Sequence, residues 1–317
     1  MGEISVVINV VDEEVKSLPR ALASIETLAD EIVIVDTTSN GTGDAISSEN
    51  KDKVKVFKHK RVPYIELVRN FGIEKATNRW VLVLDPDEEI SPTLTNALKK
   101  IASNKISRKD PSTSLRMTSD YYIIPRKNVI FGKWMRYSRW WPDYNVRFFK
   151  RGKVSFSEEI HSPPLSSGRG MDLPAEEKYA IFHHHYNSIE QFIERMNRYT
   201  NAQANIKAKS GYKFIWTDLL GKPASEFMSR YFAGQGYKDG LHGLAVALLQ
   251  AVSELVLYLK LWQKKGFKEE DISLGQLWKE VSKHKKDFKW WMLQSFISNS
   301  PFVQKNLLRI YRKLFVK

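Results

Sequence analysis

The sequence contains no cysteine among its 317 residues. This absence excludes disulfide scaffolds, thiolate zinc sites and cysteine nucleophiles, and it is typical of a reducing compartment. Long clean apolar runs are also scarce: the nearest to a membrane span, Leu241–Trp262, carries Glu254 and Lys260. The amino terminus lacks the basic segment and the long apolar core of a signal peptide, so its short apolar run predicts a β-strand.

Acidic residues are outnumbered by basic ones. The chain has 50 Lys+Arg against 36 Asp+Glu, a net charge of +14, within a globular composition of 42% hydrophobic residues. From Thr200 onward there are 20 basic and 9 acidic residues, so +11 of this charge belongs to the last third. This excess predicts an anionic partner: a nucleic acid, a nucleotide or an acidic membrane surface.

Short apolar runs alternate with segments of helical spacing in the first part of the chain. Strands are predicted at Ile4–Val10, Glu31–Asp36, Val54–His59 and Trp80–Leu84, with two further strands at Tyr121–Pro125 and Tyr144–Lys150. The alternation predicts an α/β fold with a mostly parallel sheet. Beyond about Tyr212 the pattern is that of long amphipathic helices. We therefore predict a catalytic domain at residues 1–205 and a helical, basic region at 206–317.

Three aspartates follow predicted strands: Asp12, Asp36 and Asp85. Ligands of open α/β sheets bind at the carboxyl ends of the strands, so these side chains predict a shared polar site. In extended backbone Asp85 and Asp87 would face one ion, and carboxylate oxygens suit Mg²⁺ or Mn²⁺ bridging a diphosphate. The alternative is an acidic helix start before Ser91, because acids complement the amino-terminal end of a helix.

Several segments, in their order and spacing, resemble a known family. VVINVVDEE, EIVIVDTTSNGTGD and LVRNFGIEKATNRWVLVLDPDEEI resemble the nucleotide-sugar half of an inverting family 2 glycosyltransferase with a GT-A fold. The later segments WWPDYNVRFFKRG, IH and HHHY resemble the branch related to lipopolysaccharide-core glucosyltransferases. The resemblance covers about residues 4–200 and implies a hexosyl-type transferase that uses a divalent metal.

The resemblance also implies roles for single residues. Asp12 and Asp36 match positions that contact the uracil and ribose of a UDP-sugar. Arg69 and Asn70 match an Arg-Asn pair near the nucleotide. Asp85 and Asp87 match the DxD motif that holds Mn²⁺ or Mg²⁺ on the diphosphate, where the metal offsets the charge that develops on the leaving group.

An inverting displacement needs a base that deprotonates the acceptor hydroxyl. The branch commonly has Val-His-Glu at the end of a strand, whereas this chain has Ser162 where that Glu would fall. Glu159 and His161 share a face if the segment is extended, and we predict Glu159 as the base. Glu158 and Asp143 remain alternatives.

Three consecutive histidines, 183 to 185, are a further candidate. Because residues in a strand alternate faces, only His183 and His185 can share a metal, and a closed site needs more ligands. The family pattern His-Tyr favours His185 as a metal ligand, and the alternative is a solvated histidine cluster. The aromatic segment Phe131–Trp141 is predicted to stack on the acceptor sugar, with plain core packing as its alternative.

The carboxyl-terminal segment Pro301–Lys317 has two faces. Val303, Leu307 and Leu314 fall on one side of a helical projection and basic residues on the other, which is the pattern of an interfacial helix on anionic lipid. We expect a cytoplasmic enzyme at the inner face of the membrane, with a UDP-sugar donor and a lipid-linked or cell-envelope glycan acceptor. Two alternatives are a nucleic-acid-binding protein and a nucleotidyltransferase. The chain shows no recognised nucleic-acid motif, so no nucleic-acid partner is expected, and it has Asp12-Glu13-Glu14 where a nucleotidyltransferase would have a Gly-rich basic loop.

Overall fold

A computed structural model describes residues 3–46, 52–62, 64–103, 119–157 and 163–315. The chain forms two compact units. The first comprises Met1–Val129 and Trp141–His185, and the second comprises Ile130–Trp140 and Tyr186–Lys317. The functional division predicted at residue 205 stays a prediction.

Four parallel strands begin the sheet of the first unit. They are β1 (Ile4–Val10), β2 (Glu31–Asp36), β3 (Val54–Lys58) and β4 (Trp80–Leu84), in the spatial order β3-β2-β1-β4. Helices α1 (Leu18–Ile25) and α2 (Glu66–Lys75) lie between them in sequence. Strands β1, β2 and β4 are continuous apolar runs because both faces of the sheet are covered.

The sheet continues beyond β4 as a mixed sheet in the order β4-β8-β6-β12-β5. Strand β8 is antiparallel to both β4 and β6, and β12 is antiparallel to β5. The elements of this half are β5 (Glu88–Ile90), α3 (Pro92–Ala102), β6 (Tyr121–Ile130), β7 (Lys133–Trp134), β8 (Asp143–Lys150), β11 (Gly170–Asp172) and β12 (Ile181–Tyr186). Strands β9 (Val154–Ser155) and β10 (Leu165–Ser166) form a separate antiparallel pair.

The core of the first unit lies on both faces of the sheet. Alternate residues of β1 show this, since Val6 and Ile8 join the larger apolar cluster while Val7 joins the smaller one. Helix α2 approaches the smaller cluster closely at Gly72, where an added Cβ would lie 2.7 Å from a Val7 methyl group. Glycine is required there because no side chain fits between the helix and the sheet.

The second unit is mainly helical. Its helices are α4 (Ile189–Lys209), α5 (Asp218–Met228), α6 (Leu241–Lys264), α7 (Leu274–Asn299) and α8 (Phe302–Phe315). Helix α6 packs against α4 and α5. Within the described part of the chain, α6 is the single helix whose length and mean hydropathy of 1.8 would allow it to cross a membrane. The predicted fold class, a mostly parallel α/β sheet followed by a helical region, is confirmed.

Candidate active site

The three strand-end aspartates lie at one edge of the sheet. Strands β1, β2 and β4 are adjacent and parallel, with Val10 opposite Asp36 and Ile8 opposite Leu84. Asp12 follows β1 and Asp85 follows β4, so the carboxyl ends of the three strands bring all three side chains to the same edge.

Asp36 is fully buried and organises the loop that follows β2. Its Oδ1 accepts hydrogen bonds from the Thr38 amide and hydroxyl at 2.9 and 2.6 Å, and its Oδ2 lies 2.8 Å from Lys58 Nζ and 3.1 Å from the Thr42 amide nitrogen. Burial opposes ionisation, but Lys58 and Thr38 outweigh it and lower the pKa of Asp36. The carboxylate therefore stays charged and fixes the loop over residues 38–42.

Asp12 supports the same loop from β1. Its Oδ1 accepts a 2.7 Å hydrogen bond from the Ser39 amide, and its Oδ2 lies 3.6 Å from the Arg61 guanidinium. About 30% of the Asp12 side chain is exposed, in contrast to Asp36. Asp12 therefore contacts this loop from the exposed side, whereas the buried Asp36 contacts it from the protein interior.

The backbone from Asp85 to Glu88 forms a turn, because the Glu88 amide donates to the Asp85 carbonyl at 3.0 Å. The expected extended backbone at Asp85 and Asp87 is therefore wrong, and the sharing of one ion by their carboxylates stays a prediction. Pro86 favours the turn, since its fixed φ suits the second position. The expected helix does begin at Pro92, with Ser91 as its cap, but β5 separates Asp85 and Asp87 from it, and its first turn contains no acid.

Asp85 belongs to a network of arginines and carboxylates. Arg147 is 3% exposed, and its Nη2 lies 2.7 Å from Asp85 Oδ2 and 2.8 Å from Glu88 Oε1. Arg69 lies 3.2 Å from Asp85 Oδ1. Arg126 bridges Glu88 and Asp143 at 3.2 and 2.7 Å. Three guanidinium groups thus face three carboxylates, and the formal charge of the network is balanced.

This network sets the ionisation of its members. Burial opposes ionisation of Asp85, but Arg147 and Arg69 hold the pKa of Asp85 well below its usual range. Burial likewise opposes ionisation of Asp143, and Arg126 and Asn128 lower the pKa of that carboxyl. A carboxylate held by such donors is a weak proton acceptor. Asp143 is an ion-pair partner of Arg126 in this structure, and the choice of base among Glu159, Glu158 and Asp143 stays a prediction.

A chain of side-chain hydrogen bonds leads from Asp143 to the histidines. Asn128 donates its amide to Asp143 at 2.9 Å, and His183 Nδ1 lies 2.6 Å from Asn128 Oδ1. Because an amide oxygen only accepts, His183 carries its proton on Nδ1. His183 Nε2 lies 3.1 Å from His185 Nδ1, so the two rings are in hydrogen-bond contact.

The histidines do share a face as expected. The rings of His183 and His185 are 4.4 Å apart, whereas His184 bonds Glu89 at 2.8 Å. Asp87 is buried, and its Oδ1 lies 3.5 Å from His183 Nε2. The two acids of the DxD motif thus have different partners: Asp85 contacts arginines, and Asp87 contacts a histidine.

A metal fits this edge only as an ion shared with a substrate. Across the described ranges, no group of three or more His, Asp or Glu side chains is arranged to hold a metal. Mg²⁺ is commonly bound by one or two carboxylates, with water and substrate phosphates completing the shell. Asp87, with His185 nearby through His183, is compatible with that partial role, whereas Asp85 already serves Arg147 and Arg69.

The predicted base segment begins where helix α2 holds the chain. Asn70 Nδ2 donates to the Phe156 carbonyl at 2.7 Å, and the Phe156 amide donates to Asn70 Oδ1 at 2.8 Å. The Arg69 guanidinium lies 5.2 Å from the centre of the Phe156 ring. Glu158, Glu159 and His161 lie outside the described residues. Asn70 thus anchors the backbone at Phe156, two residues before Glu158.

The aromatic segment Phe131–Trp141 is largely a packed loop. The buried Asp239 accepts hydrogen bonds from the amides of Arg136 and Tyr137 at 3.2 and 2.9 Å, and Met135 is fully buried. The Arg136 guanidinium lies 4.1 Å from the centre of the Trp134 ring. These contacts support the packing alternative for the loop, and stacking on a sugar stays a prediction.

Sequence reasoning missed the members of the network that lie inside strands. They are Glu88, Arg126, Asn128 and Arg147. One signal was available: Arg147 sits between Val146 and Phe148 in an apolar strand, where a charged residue is expected only with buried partners.

Part of the chain matches a known family, and most of it matches individual proteins. Residues 5–154 match the glycosyl transferase family 2 model, which spans β1 to β9. An uncharacterized glycosyltransferase of Rickettsia typhi is 26% identical over 271 residues, covering 82% of this chain and 87% of that protein. The lipopolysaccharide core biosynthesis glycosyltransferase LpsC of Rhizobium meliloti is 23% identical over 259 residues, covering 79% and 89%.

A solved structure of Staphylococcus aureus TarS, residues 1–349 in complex with UDP, is also similar. It is 15% identical, the match covers 86% of this chain and 95% of that one, and the TM-score is 0.41. The matched residues include Asp12, Asp36 and Asp85, and they also include β8, which pairs with β4. The chain is similar to glycosyltransferases over most of its length, and its residues 5–154 form a glycosyltransferase family 2 domain.

Proposed function

We propose that the protein transfers a sugar, with inversion, from a UDP-sugar to a lipid-linked or cell-envelope glycan acceptor. The observation that carries the donor site is the gathering of Asp12, Asp36 and Asp85 at one sheet edge within the family 2 region. Asp36 and Asp12 fix the loop over residues 38–42, which gives the uracil and ribose a rigid boundary.

The diphosphate part of the donor would lie toward Asp87 and the arginine network. A bound Mn²⁺ or Mg²⁺, held by Asp87 with His185, would offset the charge that develops on the departing UDP. Arg147 and Glu88 are buried, so they hold the turn at residues 85–88 in place rather than contacting solvent. Preorganised charges of this kind need no rearrangement when the sugar–phosphate bond breaks.

The transfer itself is a single displacement. The acceptor hydroxyl attacks the anomeric carbon, the bond to the diphosphate oxygen breaks, and the configuration inverts. The proton of the hydroxyl passes to a carboxylate, which we assign to Glu159. Asn70 supports this step indirectly, because it fixes the backbone of Phe156 at the entrance of that segment.

The acceptor and the location follow from the second unit and from one relative. The name of LpsC places that relative in lipopolysaccharide core biosynthesis, which favours a lipid-linked acceptor here. In helix α8, Val303, Leu307 and Leu314 are 73%, 63% and 65% exposed, so this apolar side faces outward. With Lys305, Arg309, Arg312 and Lys313 on the same helix, α8 suits an anionic membrane surface at the cytoplasmic face.

Titration calorimetry with UDP, with and without Mn²⁺, tests the donor site. We expect Asp87→Asn to abolish the strengthening of UDP binding by Mn²⁺ and to reduce turnover far more than thermal stability. The exposed Asp52 provides the matched control, Asp52→Asn, which should change neither quantity.

Metal-independent UDP binding by the unaltered protein would contradict the metal part of the proposal. An equal loss of melting temperature and turnover in Asp87→Asn would instead make Asp87 a structural residue. No UDP binding, together with nucleic-acid affinity that falls steeply with salt, would favour the nucleic-acid-binding alternative.

A further inference from the structure

The second unit contains a cavity of about 460 Å³ between α5, α6 and α7. Its walls are apolar and include Ala224 and Phe227 of α5, Ala251 of α6, and Val281 and Phe288 of α7. Two basic residues of α7, His284 and Lys285, complete the lining. None of these residues belongs to the strand-end site of the first unit.

The size and the lining of the cavity are those of a ligand site. This cavity has the volume of about 15 water molecules at liquid density, yet its apolar walls offer water few hydrogen-bond partners. Pockets of roughly 300–1,000 Å³ with apolar walls commonly hold small organic ligands. The lining therefore favours an apolar occupant over water.

The shape of the surrounding surface favours a long chain over a compact solute. Val281 and Phe288 line the cavity and are each 43% exposed, so the cavity opens toward solvent along α7. At helical spacing from them, Leu274 and Trp278 are 84% and 72% exposed. These residues form an apolar strip that runs from the cavity toward the start of α7. A flexible hydrocarbon chain can cover both the strip and the cavity.

The charge at the cavity indicates the headgroup. Lys285 is exposed and lines the cavity, and Lys286 and Lys289 lie within about one turn of it on the same helix. Lys283 is paired with Glu280 at 3.4 Å, and Asp287 lies 3.6 Å from His284. His284 bonds Glu280 at 2.9 Å, so that acid is already paired with a neighbour on its own helix. An apolar cavity beside several ammonium groups matches an amphiphile whose polar end is anionic.

We propose that the cavity between α5, α6 and α7 binds the hydrocarbon chain of a membrane lipid that carries an anionic headgroup. The chain occupies the space beside Ala224 and Ala251, and the headgroup lies at Lys285. This site goes beyond sugar transfer, and it differs from the surface contact of α8, because it takes a single lipid molecule out of the bilayer plane. Burial of the chain contributes in proportion to the apolar area removed from water.

The test uses the full-length protein and a fluorescent 18-carbon fatty acid whose emission rises in apolar surroundings. We expect saturable binding to one site, displacement by lysophosphatidic acid, and much weaker displacement by a long-chain alcohol. Ala224→Phe fills the cavity and should weaken binding by about tenfold, or 1.4 kcal/mol. Ala208 is exposed on α4, and Ala208→Phe adds the same ring elsewhere without effect. Lys285→Glu should weaken binding severalfold, and Lys286→Glu much less.

Other outcomes overturn the proposal. They are no saturable binding, equal effects of Ala224→Phe and Ala208→Phe, or equal displacement by the alcohol. If the unaltered protein is a dimer and the Ala224→Phe variant is a monomer, a second copy of the chain is the occupant. UDP binding measured on the same samples keeps the two proposals separate, since each Phe variant should retain it.

Discussion

Asn70 offers the sharpest test of how the site is built. The family resemblance implies that the Arg-Asn pair lies near the nucleotide. In the structure, however, the side-chain nitrogen and oxygen of Asn70 both form hydrogen bonds with the backbone of Phe156, at 2.7 and 2.8 Å. The substitution Asn70→Ala removes both hydrogen bonds. At about 1 kcal/mol for each bond, the free energy of unfolding should fall by about 2 kcal/mol.

The effect on activity follows from the position of Phe156. It precedes the predicted base Glu159 by three residues, and a misplacement of about 1 Å at a reacting group costs on the order of 10²-fold in rate. We therefore expect kcat to fall by one to two orders of magnitude while the dissociation constant of UDP changes less than about twofold. Asn70→Asp should behave similarly, because its carboxylate would face the Phe156 carbonyl it now bonds.

Steady-state kinetics with a range of acceptor concentrations, calorimetry with UDP, and urea unfolding measure the three quantities. Glu74, exposed on the same helix, supplies the control Glu74→Ala, which should leave all three unchanged. The reasoning is refuted if Asn70→Ala weakens UDP binding tenfold or more and leaves kcat intact, since Asn70 would then contact the nucleotide.

Three other outcomes are expected. Burial opposes ionisation of Glu31, but hydrogen bonds from Lys55, Ser5 and Thr77 lower its pKa from 4.5 to about 2. The ionised carboxylate should therefore contribute about 3 kcal/mol to the free energy of unfolding above pH 4.5, and this contribution is lost as the pH falls toward 2. In urea unfolding, the difference in stability between the unaltered protein and Glu31→Gln should disappear over that pH range. Glu159→Gln should slow transfer by on the order of 10²-fold and leave UDP affinity unchanged, and near-normal transfer in a product assay would move the role of base to Glu158, Asp143 or His161. Truncation after Asn299 should release the protein from anionic vesicles in flotation while UDP binding persists, and equal binding of the full-length protein to neutral vesicles would assign the contact to α6 instead.

The parallel half of the sheet follows from local sequence. Strands β1, β2 and β4 have the predicted bounds, because strands buried on both faces are unbroken apolar runs bounded by polar residues. The gathering of Asp12, Asp36 and Asp85 at one edge was predictable for the same reason, since adjacent parallel strands end together.

The second half of the site depends on contacts that sequence spacing does not reveal. Strand β6 was predicted to end at Pro125, but it continues to Ile130 and places Arg126 and Asn128 beside Asp143. Whether Asp85 meets a metal or an arginine depends on Arg147, which lies 62 residues away in the chain. The backbone conformation of the DxD motif was predicted wrongly, because a proline at the centre of the motif favours a turn as readily as it continues an extended segment.

The pairing of β12 with β5 has a consequence for protein synthesis. Glu89 and His184, one on each strand, are 95 residues apart in the chain. At about 5–20 residues per second, a ribosome makes the second strand some 5–20 s after the first. The parallel strands that hold Asp36 can form during that interval, but Asp87 meets His183 only after β12 is made. A nascent chain would thus form the loop over residues 38–42 early and the contact of Asp87 with His183 late, so a premature stop before β12 should yield a product able to fold in part and unable to transfer sugar.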